Sequence, residues 1–167
     1  MTAAPSNPAY YDPSVIERVL ADSSVWAVVG LGDDPSHAAY VVAKFLQDHG
    51  KRIVPVHPRA AEVLGQPGYR TLAEIPFPVD VVDIFRRSDA AGRSVDEAIA
   101  IHASAVWMQL GVIDVRAAER ATEAGLDVVM DACPRLEWPA HGTLLWGLIM
   151  TMQTGVQRRA DRADERP

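Results

Sequence analysis

The segment Val25-Trp-Ala-Val-Val-Gly-Leu-Gly-Asp-Asp-Pro-Ser36 passes from an apolar run into a glycine loop and then into the start of a helix. A short run this rich in valine is typical of a buried strand. Gly30 and Gly32 let the backbone turn tightly and approach a ligand closely. Because the free N–H groups at the start of the next helix would face the loop, this segment is a candidate phosphate site, although such turns also occur as plain packing solutions.

Four more apolar runs follow along the chain and alternate with segments of helical spacing. The five runs cover residues 25–30, 52–56, 79–85, 103–108 and 126–130. Their unbroken apolar character is typical of strands buried on both faces, as in a parallel sheet flanked by helices. The sequence therefore predicts an α/β doubly wound fold of about five strands. Pro55 lies inside the second run, and we expect that strand to end near it.

Four helices are predicted from the residues at their ends. Asp12-Pro13 and Asp34-Pro35 each offer an N-cap acceptor followed by proline at the first helical position. Ser94-Val-Asp-Glu97 has the capping-box pattern. Asp114 and Gly125 bracket the last helix.

Composition excludes several classes of protein. Hydrophobic residues make up 49% and charged residues 23% of the 167 residues, which is ordinary for one globular domain. A net charge of -6 argues against a protein that mainly binds the nucleic-acid backbone. The single cysteine, Cys133, cannot form an internal disulfide, and the five histidines show no paired metal-ligand spacing. We expect a cytoplasmic protein with neither a metal nor a nucleic-acid partner.

The two ends of the chain differ from its middle. Residues 1–11 lack the features of an export signal and are predicted to be a flexible lead. Residues 143–152 are apolar, but they are about half the length of a membrane span, so we expect a docked helix and no membrane contact. Residues 157–167 carry mixed charge and are predicted to fray. The expected organisation is a lead over 1–11, a domain over 12–137 and a C-terminal extension over 138–167.

The candidate site is the carboxyl edge of the sheet, where open parallel sheets bind their ligands. A dinucleotide fingerprint also needs a third glycine and an acid after the second strand. Here Pro35 and the segment Val56-His57-Pro58 stand in those places. A conventional NAD site is therefore disfavoured, whereas NADP stays open, with Arg59 as a partner for its extra phosphate.

Several segments occur in an order typical of one family. They are Val-Gly-Leu-Gly-Asp-Asp-Pro (29–35), Val-Pro-Val-His-Pro (54–58), Leu-Gly (64–65), Val-Asp-Val-Val-Asp-Ile-Phe-Arg-Arg-Ser (79–88), Val-Trp-Met-Gln-Leu-Gly-Val (106–112), Ala-Gly-Leu (124–126) and Val-Met-Asp-Ala-Cys (129–133). On these segments, over about residues 23–137, the chain resembles the CoA-binding domain family. It is similar to the N-terminal domain of the succinyl-CoA ligase alpha subunit.

The resemblance implies a Rossmann-like fold that holds coenzyme A across the strand ends, with the pyrophosphate on the glycine loop. The ligase histidine that is phosphorylated during turnover lies in a second domain, so we expect no catalytic residues in this chain. Together the strand ends and the resemblance assign the ligand contacts to Gly30, Leu31, Gly32, Asp33, His37, Val56, His57, Pro58, Phe85, Arg86, Arg87, Gln109 and Gly111.

Arg86 and Arg87 could supply the cations that phosphates need, although adjacent arginines also pair with acids such as Asp83 or Asp89. His37 and His57 stand where the family commonly has arginine and asparagine, and His37 also fits a plain surface helix residue.

Asp33 and Asp34 weaken an anion site in the glycine loop unless Asp34 caps the helix. Gln109 fits a ligand contact or a partner for a loop amide, and Trp107 fits the core. Cys133 is expected to be structural, with a mixed disulfide to the pantetheine thiol as the alternative.

The leading hypothesis is non-catalytic binding of coenzyme A or an acyl-CoA. One alternative is an NADP-dependent reductase with Tyr40 or Lys44 as the proton donor. Another is a ligand-free interaction module in which residues 144–152 form a partner surface or a homodimer contact.

Overall fold

The five apolar runs form the strands of a single parallel sheet in a computed structural model that describes residues 8–138. The elements in chain order are α1 (Pro13–Asp22), β1 (Val25–Val29), α2 (Ala38–Asp48), β2 (Arg52–Val56), β3 (Val81–Ile84), α3 (Ser88–Ala100), β4 (Ala105–Met108), α4 (Val115–Glu123) and β5 (Asp127–Val129). Two short 3₁₀ turns lie at Pro8–Tyr10 and Leu72–Glu74.

The strand order β2-β1-β3-β4-β5 determines where a ligand can bind. After β1 the chain adds β2 on one side, and it then returns to place β3 on the other side of β1. The loops that follow β1 and β3 therefore diverge and leave a crevice at the carboxyl edge of the sheet. The predicted α/β Rossmann-like fold in one domain is confirmed.

Both faces of the sheet are covered. On one face Trp26 and Trp107 pack with their ring centroids 5.7 Å apart, beside buried residues of α1 and α2. On the other face alanines of α3 and α4 lie against the sheet, and their small side chains allow close approach. Since β1, β3 and β4 are buried almost throughout, their continuous apolar sequence follows from burial on two sides.

The outer edge of β2 is occupied by the loop that follows it. The Arg52 N–H donates to Ser24 O on the side of β1. Backbone N–H groups alternate between the two sides along a strand, so the nitrogen of Pro55, three residues later, lies on the outer side. On that side Tyr69 N–H donates to Pro55 O at 2.9 Å and His57 N–H donates to Tyr69 O at 2.9 Å. Proline is tolerated there because no ladder bond is lost, and β2 ends one residue later, as predicted.

Two helix starts agree with the sequence. The Asp12 side chain accepts a hydrogen bond from Ser14 N–H at the start of α1, and the Asp114 side chain accepts one from Ala117 N–H at the start of α4. The predicted close of α4 at Gly125 also fits, since this residue has φ +88° just beyond the helix.

Two predicted helix starts were wrong. α2 begins at Ala38 with His37 at its N-cap, while Asp34 accepts hydrogen bonds from the backbone and hydroxyl of Ser36 in a separate turn. α3 begins at Ser88, so Ser94 is a buried residue inside the helix rather than its cap. In both cases a polar pattern with local cap chemistry lay near the true start but did not form it.

The described part of the chain contains no helix that is long and apolar enough to cross a membrane. The predicted docked helix at 143–152, the tail at 157–167 and most of the N-terminal lead lie outside the described residues.

Candidate functional site

Gly30 brings the loop after β1 into contact with the loop after β3. Its φ is +97°, and a Cβ at this position would lie 2.7 Å from the carbonyl oxygen of Phe85. Its N–H donates to Val56 O at 2.8 Å. Gly30 therefore joins three strand ends, and its amide is not available to a ligand.

The next residues of the loop carry the free amides. Among residues 8–138, no group accepts a hydrogen bond from the N–H groups of Gly32 and Asp33. A Cβ on Gly32 would make only ordinary contacts, 3.7 Å from Arg59 Nη2 and 4.0 Å from His57 Cδ2. Unbonded amides in a loop at the strand ends are donors that an anion could use, but the carboxylates of Asp33 and Asp34 lie in the same loop, and Asp34 does not cap α2.

Arg59 and His57 lie beside Gly32. Burial lowers the pKa of His57, and the nearby charges of Arg59 and Arg86 lower it further, so His57 is mostly neutral at pH 7. Its Nδ1 faces the backbone N–H of Arg59 at 3.2 Å. The Arg59 guanidinium lies 3.5 Å from the Asp33 carboxylate, which offsets one of the two acidic charges of the loop.

Arg86 and Arg87 differ in position although they are adjacent in sequence. The Arg87 side chain is exposed and forms an ion pair with Asp89 at 2.9 Å. Arg86 is half-buried and lines two cavities, and no acid of the described chain lies within ion-pair distance of its guanidinium. Arg86 is therefore the cation of the pair that is available to a ligand.

The first of these cavities, which we call the apolar cavity, has a volume of about 470 Å³. It lies between α2 and the ends of β3 and β4, and its lining is Ala38, Val42, Phe85, Arg86, Arg87, Gln109, Leu110, Gly111, Val112 and Cys133. Burial raises the pKa of the Cys133 thiol, and the charge of Asp83 adds to this effect. A thiol with a raised pKa is a poor nucleophile at neutral pH.

The second cavity, which we call the basic cavity, has a volume of about 310 Å³ and lies on the α3 side of the sheet. Its lining is Val29, Val56, Pro58, Arg70, Thr71, Arg86, Ala90, Arg93, Ser94 and Glu97. The lining contains three arginines and one acid, Glu97, which lies 3.2 Å from Arg93. The net charge of the lining is therefore positive. Arg86 connects this cavity to the apolar one.

Asp83 is a residue that the sequence did not assign to the site. It lies in β3, is fully buried, and accepts a hydrogen bond from Gln109 Nε2 at 2.6 Å. Burial raises the pKa of Asp83 to about 8, and the hydrogen bond from Gln109 opposes this rise. An acid within the run Val-Val-Asp-Ile was the available sequence signal. The sequence suggested Asp83 only as an ion-pair partner for the arginines, whereas in the structure it forms a hydrogen bond with Gln109.

The structure divides the predicted contacts into two groups. Gly32, Val56, His57, Pro58, Phe85, Arg86, Arg87 and Gln109 border the crevice or its cavities. Leu31 is fully buried in the core, and Trp107 is also core, as expected. His37 is exposed at the N-cap of α2, 3.6 Å from Asp34.

Gly111 borders the apolar cavity, but its backbone is already bonded. Its N–H donates to Asp131 Oδ1 at 2.7 Å, and its carbonyl accepts from Ser88 Oγ at 3.1 Å. Residues 8–138 contain no cluster of three or more His, Cys, Asp or Glu that could hold a metal ion.

Comparison with known proteins gives consistent results. The family model of the CoA binding domain matches residues 24–139. An uncharacterized protein of Bacillus subtilis is 37% identical over 118 residues, which are 71% of this chain and 87% of that protein. A solved structure of a hypothetical protein from Pyrococcus horikoshii superposes with a TM-score of 0.76 at 31% identity, covering 84% of this chain and 97% of that chain.

A shorter similarity links the chain to a larger enzyme. The alpha subunit of an ADP-forming acetate–CoA ligase of Pyrococcus furiosus is 39% identical over 59 residues, which are 35% of this chain and 13% of that subunit. The relation thus covers a small part of that subunit.

Proposed function

The chain belongs to the CoA-binding domain family, and on this premise we propose that it binds coenzyme A, free or acylated, without transforming it. Coenzyme A joins a 3′-phosphorylated ADP to a long pantetheine arm. Such a ligand needs N–H donors and a few cations at one end and an apolar channel at the other.

The observation that carries this proposal is the division of the crevice into two unlike cavities that share Arg86. The basic cavity suits the phosphorylated nucleotide, and the apolar cavity suits the arm. The free amides of Gly32 and Asp33 lie beside them, where a pyrophosphate would connect the two parts.

The state of two reactive side chains supports binding without catalysis. The pKa of the Cys133 thiol is raised rather than lowered. Lys44, one of the two candidates for the proton donor of a reductase, is paired with Asp48 at 3.0 Å. We further propose that the protein acts in the cytoplasm. Analytical sedimentation will test whether it forms a homodimer.

Thermal unfolding with added ligands tests the proposal. We expect coenzyme A to stabilise the protein by about 2.7 kcal/mol at one hundred times its Kd. Dephospho-CoA should stabilise it less at the same concentration, because it lacks the phosphate assigned to the basic cavity. A response to NADP alone would contradict the proposal.

Arg86→Ala and Arg87→Ala form a matched pair that tests the same proposal. Arg86→Ala should weaken coenzyme A binding at least tenfold, because a half-buried cation without an acid partner is removed. Arg87→Ala should change the affinity by less than twofold, since that side chain is exposed and already paired. Calorimetric titration of both variants measures the difference, and equal effects would show that the cavities do not divide the ligand as proposed.

A further inference from the structure

The buried carboxyl of Asp83 is hydrogen-bonded to Gln109, and Gln109 lines the apolar cavity. Resting on the proposed function, we infer that Asp83 is a positioning residue that holds the Gln109 amide with its carbonyl oxygen facing the cavity. There the oxygen accepts a hydrogen bond from an N–H group of the ligand's arm.

The location of Asp83 places it directly beneath the cavity. Asp83 lies opposite Val28 and Trp107 in the sheet register, on the face that packs against α1 and α2. Side chains two residues further along a strand lie on the same face, so Phe85 follows Asp83 and Gln109 follows Trp107 on this side. Both Phe85 and Gln109 line the apolar cavity.

The carboxyl has one partner in the described chain. Its Oδ1 accepts from Gln109 Nε2 at 2.6 Å, so the proton that its raised pKa retains at neutral pH lies on Oδ2, which is buried and has no partner among residues 8–138. Burying a carboxyl in the middle of a sheet costs free energy that an apolar side chain would not. The hydrogen bond to Gln109 is the interaction that this carboxyl makes in the described chain, so its effect is to fix the orientation of the Gln109 side chain.

The bond decides which end of the amide the cavity meets. A glutamine amide has two donors on nitrogen and an acceptor on oxygen. With Nε2 turned toward Asp83, Gln109 Oε1 has no donor in the described part of the chain, and it is not among the buried atoms that lack a partner. Although only 5% of Gln109 is exposed, Oε1 is therefore open to the cavity.

The two arginines of the cavity lining only donate hydrogen bonds, so the Gln109 side-chain oxygen favours a ligand with an N–H donor. Ala38, Val42 and Phe85 offer no hydrogen bond of their own from their side chains. The pantetheine arm carries two secondary amides, each with one N–H, whereas 3′-phospho-ADP without the arm has nothing to place there. Asp83 thus contributes to selection of the arm and not to binding of the nucleotide.

The test is the ratio of the Kd of 3′-phospho-ADP to the Kd of coenzyme A, which isolates the contribution of the arm. We expect Gln109→Met and Asp83→Leu each to lower this ratio roughly fivefold to tenfold, as for loss of one hydrogen bond. The Kd of 3′-phospho-ADP should stay within twofold in both. Because Asp83 acts through Gln109, the double variant should lose no more than Gln109→Met alone.

Two results overturn the inference while leaving the proposed function intact: an unchanged ratio in Asp83→Leu, or losses that multiply in the double variant. Failure of the unsubstituted protein to bind either ligand overturns the proposed function itself.

A second measurement needs no variant of Asp83. In the unsubstituted protein, the side-chain amide resonance of Gln109, assigned by its loss in Gln109→Met, should exchange slowly with water. It should shift with coenzyme A and not with 3′-phospho-ADP. Free exchange of this amide would refute the role of Asp83 even if Asp83→Leu does not fold.

Discussion

Gly30 and Gly32 are separated by one residue, yet they impose different requirements on the chain. Alanine at Gly30 would combine an unfavourable φ of +97° with a 2.7 Å contact to the Phe85 backbone, so one of the two loops must move. Alanine at Gly32 meets only ordinary contacts, but it adds a methyl group beside the free amides.

We expect Gly30→Ala to lower the free energy of unfolding by about 2 kcal/mol or more. Gly32→Ala should leave it within about 0.5 kcal/mol and weaken coenzyme A binding at least tenfold. Urea unfolding and calorimetric titration of the two variants measure these effects. Equal stability of both variants would show that the loops after β1 and β3 are not packed as described.

The buried Asp83 carboxyl makes stability depend on pH in a defined direction. Its pKa rises from 3.8 to about 8 on folding, so between these values the native state keeps a proton that the unfolded state releases. The free energy of unfolding therefore falls as pH rises through this window, and the contribution levels off above pH 8.

Asp83→Asn should remove this dependence, because asparagine does not titrate. We expect the stability of the variant relative to the unsubstituted protein to increase from pH 5 to pH 8 by up to about 1.4 kcal/mol per pH unit. Urea unfolding at four pH values measures the slope. A constant difference would mean that Asp83 is ionised in the native state.

At the scale of elements, side-chain caps explain which helix starts could be read from sequence. Asp12 and Asp114 bond to the first turn of their helices, and both starts were predicted. α2 and α3 begin after His37 and Arg87 without a side-chain cap, so no local pattern marks these starts.

α3 also contains Gly92, although glycine is a weak helix former. The structure accounts for it by packing between helices. A Cβ at Gly92 would lie 2.9 Å from Oδ2 of Asp114, the N-cap residue of α4, and 3.8 Å from Ala117 Cβ, so the packing of α3 against the start of α4 leaves little room there. Such a contact between distant segments cannot be read from the sequence around α3.

Asp114→Ala should lower the free energy of unfolding by about 1 kcal/mol, because the Ala117 N–H loses its acceptor. Asp34→Ala provides the control, since its exposed carboxylate contacts only Ser36 and His37 and makes no cap bond to α2. A smaller loss is expected there. If the two substitutions are equally destabilising in thermal unfolding, the Asp114 cap bond does not contribute measurably to the free energy of unfolding.

At the scale of the whole molecule, the sheet was predictable and the shape of the site was not. Five valine-rich runs separated by helical segments are sufficient to indicate a parallel sheet with a ligand edge. The division of that edge into two cavities depends on α2 on one face and α3 on the other, and on the side of the sheet toward which each strand-end residue points. Arg86 and Arg87 are equivalent in sequence, and only their packing separates them.

The covered edge of β2 has a consequence for how copies of the protein can meet. Tyr69 already uses the outward hydrogen-bonding groups of Pro55 and His57, and Pro55 has no N–H to offer. At the opposite end of the sheet β5 has only three residues. Neither border gives a neighbouring molecule a long template for strand addition, so fibril-like stacking is discouraged. Any association of two copies through residues 8–138 should therefore use helices and loops.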